Sequence, residues 1–99
     1  MHNEDDINLA ARSMKAMAHP LRLKILCLLS SSSAEVSVHE IVTQVGTSQS
    51  NISQHLSILR DKGILLARKD ANKVFYKVSD PKITKLISLL REAFCSTEY

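Results

Sequence analysis

At 99 residues the chain has the size of one domain, and a chain this short gains from a second subunit to complete its core. Its net charge is +3, carried unevenly: residues 1–35 hold four basic and four acidic side chains, residues 36–99 nine and six. No apolar run approaches the roughly 20 residues of a membrane span, and two glycines in all leave no glycine-rich phosphate loop.

Residues 1–6 are polar, acidic and unlike a signal peptide, so they are expected to be disordered and the protein cytoplasmic. From Asp6 to Ala18, Ile7, Leu9, Ala10, Met14 and Met17 recur at helical spacing, with Asp5 or Asp6 as the N-cap. Pro20 cannot lie inside that helix but suits the first turn of the next. The second helix, Pro20 to about Ser30, is apolar nearly all round and belongs at the centre of the core. The serine run at 30–33 ends it. Val36-Ser37-Val38 is a short extended piece leading into a helix over about 38–45, with Ile41, Val42 and Val45 inward. Gly46 suits its C′ position. Thr47 or Ser48 caps a further helix, which Gly63 ends. Residues 64–69 and 73–79 read as strands around the turn Asp70-Ala71-Asn72, since Val74, Tyr76 and Val78 alternate with polar or outward positions. Asp80-Pro81 opens a last helix to about Cys95, with Ile83, Leu86, Ile87, Leu90 and Phe94 on one side. The predicted fold is mainly α with a small β-hairpin. It is a single winged helix-turn-helix domain over 1–99, in the order α-α-α-α-β-β-α, with the helix-turn-helix over about 38–60 and the wing over about 64–79.

The helix after Gly46 has two unlike faces. Ile52, Leu56 and Leu59 form an apolar stripe at i, i+4 and i+7. Gln49, Ser50, Ser53 and Gln54 occupy the other face. Lys and Glu are the usual solvated choice there, whereas Gln and Ser suit base edges in a major groove. A surface helix that happens to be Ser/Gln-rich is the plainer alternative. The wing adds cations for a phosphate backbone or minor groove. The candidate DNA-binding residues are therefore Ser48, Gln49, Ser50, Ser53, Gln54, His55, Arg68, Lys69 and Lys73, with double-stranded DNA as partner. His19 and His55 also read as structural, hydrogen-bonded histidines, and His39 as a surface residue. His2, His19, His39 and His55 lack ligand spacing, so no metal site and no cofactor are predicted. No paired carboxylates and no substrate pocket favour an enzyme.

Three strings resemble the ArsR/SmtB family of winged-helix repressors: Met17-Ala18-His19-Pro20-Leu21-Arg22-Leu23-Lys24-Ile25-Leu26; Ser48 to Leu56 with Leu59-Arg60; and Gly63-Ile64-Leu65 with Val74-Phe75-Tyr76-Lys77-Val78. The resemblance covers nearly the whole chain. It implies a homodimer built from the helices over about 7–18 and 81–95, an inverted-repeat operator, and an inducer that shifts the dimer out of its DNA-binding form. Two inducer sites of the family are missing. Where soft-metal sensors carry Cys-Val-Cys, this chain has Ser37-Val38-His39-Glu40, and residues 80–99 hold no histidine for a zinc site on the last helix.

Cys27 and Cys95 resemble in position the pair found in the branch that includes BigR, SqrR and HlyU, which answers to sulfane sulfur or oxidants. That resemblance implies a redox switch; Cys95, at the end of the last helix and near Arg91, is expected to react first, and Cys27, in the core-like second helix, to resolve it, directly or through extra sulfur. Arg91, four residues before Cys95, lies on the same helix face, and a cation favours the reactive thiolate. The alternatives are a small core residue and an idle thiol. The protein would then be a repressor or anti-silencer without a cysteine switch, a metal-responsive sensor with a non-standard site, or a winged helix used for protein contact.

Overall fold

The computed structural model describes residues 3–95. Helix α1 (Glu4–Met17) starts earlier than the spacing predicts, because Asn3 rather than Asp5 or Asp6 is its cap. The Asn3 side-chain oxygen accepts from the Asp5 and Asp6 amides at 2.7 and 3.4 Å. Glu4, Asp5 and Asp6 are thereby left in the first turn, at the positive end of the helix dipole. Disorder expected at residues 1–6 thus does not extend to Asn3–Asp6; Met1 and His2 lie outside the described residues.

Helix α2 (Pro20–Ser30) follows after two residues, with Pro20 in its first turn. It packs against α1, α3, α4, α5 and β3, which explains why a helix apolar on most sides is needed there. The helix-turn-helix is α3 (Val38–Val45) and α4 (Gln49–Asp61). Between them Gly46 adopts φ +84°, and its amide closes α3 onto the Val42 carbonyl at 3.0 Å. A side chain at this φ would be strained. Ser37 caps α3 and Ser48 caps α4.

The wing is more than a hairpin. Strands β2 (Leu65–Asp70) and β3 (Lys73–Val78) pair antiparallel, and the extended piece β1 (Val36–Ser37) adds to the other edge of β3, giving the order β1-β3-β2. In the register, Ala67 faces Tyr76, Arg68 faces Phe75 and Lys69 faces Val74. The strands turn through Ala71 and Asn72, with Ala71 at φ +55°. Helix α5 (Pro81–Phe94), capped by Asp80, then returns across α2.

The centre of the core is Ile25 and Leu26 of α2, Ile41 of α3, Ile52, Leu56 and Leu59 of α4, Leu65 of β2 and Ile87 of α5. The α4 stripe read from the sequence is thus wholly internal. The α5 stripe is not: Ile87 is buried, Ile83, Leu86 and Leu90 are half-buried, and Phe94 is 83% exposed.

Candidate DNA-binding surface and cysteine pair

The uncharged face of α4 is built by its cap and its stripe. The Ser48 hydroxyl accepts the Asn51 amide at 3.2 Å, so Ser48 is engaged in capping. With Ile52, Leu56 and Leu59 turned in, Gln49, Ser50 and Gln54 are exposed and Ser53 is half-buried. Gln49 and Ser53 line a cleft of about 360 Å³ between α4, the start of α3 and the wing. Lys73, Val74 and Tyr76 line it from β3, Lys73 at the hairpin end of the strand where it pairs with Asp70. The arrangement offers neutral hydrogen-bonding groups on one side and a cation on the other, which suits a duplex: base edges against the helix, phosphate against the wing. Lys69 is exposed beside Val74, on the wing face that Tyr76 also presents.

Two residues expected at this surface are elsewhere. Arg68 lies on the other face of the wing, because side chains alternate along a strand and Arg68 pairs with Phe75 rather than with Val74 or Tyr76. Its guanidinium stands 4.8 Å from the centre of the Phe75 ring. Its Nε donates to Glu35 Oε1 at 2.7 Å, and Asp70 lies at 3.6 Å. Hydrogen bonding to Arg68 holds the Glu35 carboxyl below its ordinary range. Arg68 is thus occupied by an ion pair and turned from the cleft.

His55 is the second. It is half-buried between α4 and the start of α2. Its Nδ1 lies 3.1 Å from Arg22 Nη1, and its ring centre is 4.6 Å from that of His19. Burial first, then the nearby His19 and Arg22 charges, pushes its pKa down. The structural reading of His19 and His55 describes these contacts.

The sequence reading also missed cleft residues. Ser37, His39 and Asn72 line it with Gln49 and Lys73. The only signal for them was position: His39 in the first turn of α3 and Asn72 at the wing tip.

Cys27 and Cys95 are both free thiols, the first half-buried on α2 and the second exposed at the end of α5. The Cys95 amide bonds the Arg91 carbonyl at 2.9 Å. Arg91 reaches across to α2, its Nη1 3.4 Å from the Ser31 hydroxyl. Burial pushes the Cys27 thiol up, the Arg91 cation draws it back, and the Cys95 sulfur pushes it up again. Arg91 therefore acts on Cys27 across the α2–α5 seam. Among the described residues no cluster of three or more His, Cys, Asp or Glu is suited to hold a metal ion, and no helix is long and apolar enough to cross a membrane.

Comparison with known proteins agrees with this architecture. The family model for bacterial regulatory proteins of the arsR family matches residues 19–65. The biofilm growth-associated repressor of Xylella fastidiosa is 35% identical over 95 residues, 96% of this chain and 82% of that protein. The crystal structure of that organism's repressor BigR superposes with a TM-score of 0.84 at 34% identity, over 95% of this chain and 94% of that one. The transcriptional activator HlyU of Vibrio cholerae is 43% identical over 82 residues, 83% of this chain and 74% of that protein. Its structure gives a TM-score of 0.85 at 39% identity, covering 95% of this chain and all of that one. A domain of Mycobacterium bovis Mb0332, described as a homodimeric winged helix-turn-helix DNA-binding domain, gives 0.78 at 29% identity, over 88% and 79%. The chain belongs to the ArsR family of bacterial transcriptional regulators.

Proposed function

We propose that this regulator binds an inverted-repeat operator as a homodimer and lets go when Cys27 and Cys95 become linked. The observation that carries the DNA reading is the cleft that Gln49, Ser53 and Lys73 line together, with Ser50 and Gln54 exposed on the same helix. A dimer through α1 and α5 is supported by the apolar side chains they leave in water, Leu9, Met14, Leu89 and Phe94, and by the homodimeric relative Mb0332. Two-fold symmetry would set the α4 helices about one DNA turn apart, roughly 34–36 Å. The basic excess in the second part of the chain suits contacts to phosphates.

The switch is supported by both thiols lying at the α2–α5 seam with Arg91. The exposed Cys95 thiolate would attack one oxygen of a peroxide, breaking the O–O bond, to give a sulfenic acid and release hydroxide, which takes up the thiol proton as water. The Cys27 sulfur would then displace the sulfenic oxygen as water. Overall two thiols and one peroxide give a disulfide and two waters. A sulfane-sulfur donor would instead pass its outer sulfur to Cys95, its own thiolate leaving, and Cys27 would then attack the Cys95 sulfur of that persulfide, releasing hydrogen sulfide and leaving a disulfide. Linking α2 to α5 would alter how α5 packs in the dimer, and with it the spacing of the two α4 helices. Disfavouring DNA by about 2.7 kcal/mol weakens binding a hundredfold. The burial that keeps Cys27 protonated supports Cys95 as the first to react. It equally supports the second reading, an ArsR repressor or activator whose cysteines are silent. Selection of duplexes from a randomised pool, followed by binding of reduced and peroxide- or persulfide-treated protein, separates the two. Cys27→Ser and Cys95→Ser should bind the selected duplex and ignore the treatment. Release of DNA by either treated variant, or no intramolecular link in treated wild type by mass spectrometry, sinks the switch.

A further inference from the structure

The cluster of Arg22, His55 and His19 contributes nothing to the cleft or to the cysteine seam, yet it joins three helices. Arg22 Nε donates to the Ala16 carbonyl in the last turn of α1. Arg22 Nη1 reaches His55 Nδ1, in the middle of α4, at 3.1 Å. His19 is the N-cap of α2: its Nδ1 accepts the Leu21 amide at 3.1 Å, and its ring lies against that of His55, tilted by 43°.

We propose that Arg22, His55 and His19 form a latch that positions the recognition helix α4 against α1 and α2, and that it holds only while both imidazoles are neutral. A guanidinium only donates, so His55 Nδ1 accepts and the ring proton is on Nε2. A backbone amide also only donates, so His19 Nδ1 accepts as well. An imidazolium has an N–H at both nitrogens and can accept at neither. Protonating His55 would turn its contact with Arg22 into two opposed donors, both positive. Protonating His19 would remove the cap of α2 and set a second cation against the His55 ring.

The surroundings offer an imidazolium no relief. The elements packed against α4 are α1, α2, α3 and β2. Among the described residues, the charged groups that act on His55 are His19 and Arg22, both at the start of α2, and no carboxylate of α1, α3 or β2 is among them. The folded His55 pKa lies below its ordinary value of 6.5. The latch therefore stabilises the fold fully above the unfolded pKa, and its contribution is lost as pH falls through the folded value.

His55 directly follows Gln54 and is two residues after Ser53, so whatever fixes its ring also fixes the rotation of the reading face. On the operator reading of α4, on which this consequence rests, acid should weaken DNA binding. That sign opposes simple charge: protonating the exposed His39, which lines the cleft, would add a cation near phosphate and tighten it.

The test has two arms. In the protein without DNA, nitrogen-15 spectra of the histidine rings should show His55 as the Nε2–H tautomer, titrating below the ordinary histidine range. The thermal midpoint of the wild type should fall between about pH 7.5 and 5.5, and that of His55→Gln should fall less, since a Gln carbonyl accepts from Arg22 but does not titrate. In the second arm the probe is a duplex selected from a randomised pool by the wild type at about pH 7.5. Wild-type affinity should fall about tenfold or more by about pH 5.5, while the affinity of His55→Gln, measured against its own value at the higher pH, changes less than about threefold. An Nδ1–H tautomer, a normal or raised titration, or an undiminished acid response in His55→Gln overturns the latch. Tighter wild-type binding in acid does so too. Failure of the wild type to select any duplex overturns the operator reading instead, and the first arm still decides the latch. Should His55→Gln fail to fold, the tautomer and titration of the wild-type ring decide it alone.

Discussion

Helices α4 and α5 have nearly the same length and both carry an apolar stripe, yet they use it differently. In α4 the stripe is closed: Ile52, Leu56 and Leu59 are completely buried, and what is exposed is Gln49, Ser50, Gln54 and the terminal pair Arg60 and Asp61. In α5 only Ile87 is enclosed, while Leu89 is 61% exposed and Phe94 83%. Helix α1 shares that open character through Ile7, Leu9 and Met14. One helix is finished toward the core and polar toward its ligand. The other two have apolar surface that no other described residue of the chain covers. On the proposed function, the difference separates a helix whose outer face stays hydrated until bases replace the water from helices suited to a second copy of the chain.

Mutations should divide along that line. The largest effect is expected inside α4. Leu56→Ala empties a site with no exposure and should cost about 2–5 kcal/mol of stability, read as a lower urea midpoint at unchanged slope. A loss well under 1 kcal/mol would mean that α4 is not locked into the core. On α5 the corresponding change is Leu89→Asp. It should leave the protomer folded, since Leu89 touches water in the monomer, but raise the dimer dissociation constant by about 2 kcal/mol or more. Sedimentation equilibrium reads it directly, and unchanged assembly would remove α5 from the interface.

The outer face of α4 gives a smaller effect in a different currency. Gln54→Ala should leave stability and assembly alone. It should weaken the selected duplex by about 1–3 kcal/mol per half-site and relax preference at one base position. Lys73→Ala should weaken all duplexes alike and lower the salt slope by about one per site. If Gln54→Ala left base preference intact, Gln54 would not be a reading residue, however exposed it is.

Much of the fold was legible because its signals are local. The i, i+4, i+7 stripe of α4, Gly46 at a left-handed turn and Asp80-Pro81 at the start of α5 each report on a few neighbouring residues. The candidate site was legible in part. Gln49, Ser50 and Gln54 follow from which side of α4 is apolar. Arg68 and Lys69 could not be told apart, because strand faces are assigned by the register with β3, and adjacent residues point oppositely. His55 sits on the flank of α4, and its partners His19 and Arg22 are more than thirty residues away in the chain. Asn3 was passed over for Asp5 and Asp6 because all three side chains are competent caps.

The smallest expected effect lies at the wing tip, which borders the cleft beside α4 but contributes nothing to the core. Ala71 turns the chain between Asp70 and Lys73 with φ +55°, where its Cβ crowds the backbone at a cost of about 1–2 kcal/mol. Its side chain is exposed and has no packing to lose. Glycine would relieve the strain while making the unfolded chain more flexible, by roughly 0.5–1 kcal/mol. The first term is the larger, so Ala71→Gly should stabilise by a few tenths to about 1 kcal/mol, raising the thermal midpoint by a few degrees. The dimer constant should not move, because the wing tip is remote from α1 and α5 in the fold. Duplex affinity should change less than about twofold, since Lys73 is held by its pairing with Asp70 and not by the turn residue. A loss of stability would show that the flexibility added to the unfolded chain outweighs the strain at Ala71. A loss of affinity at full stability would show instead that the stiffness of the tip itself serves DNA binding.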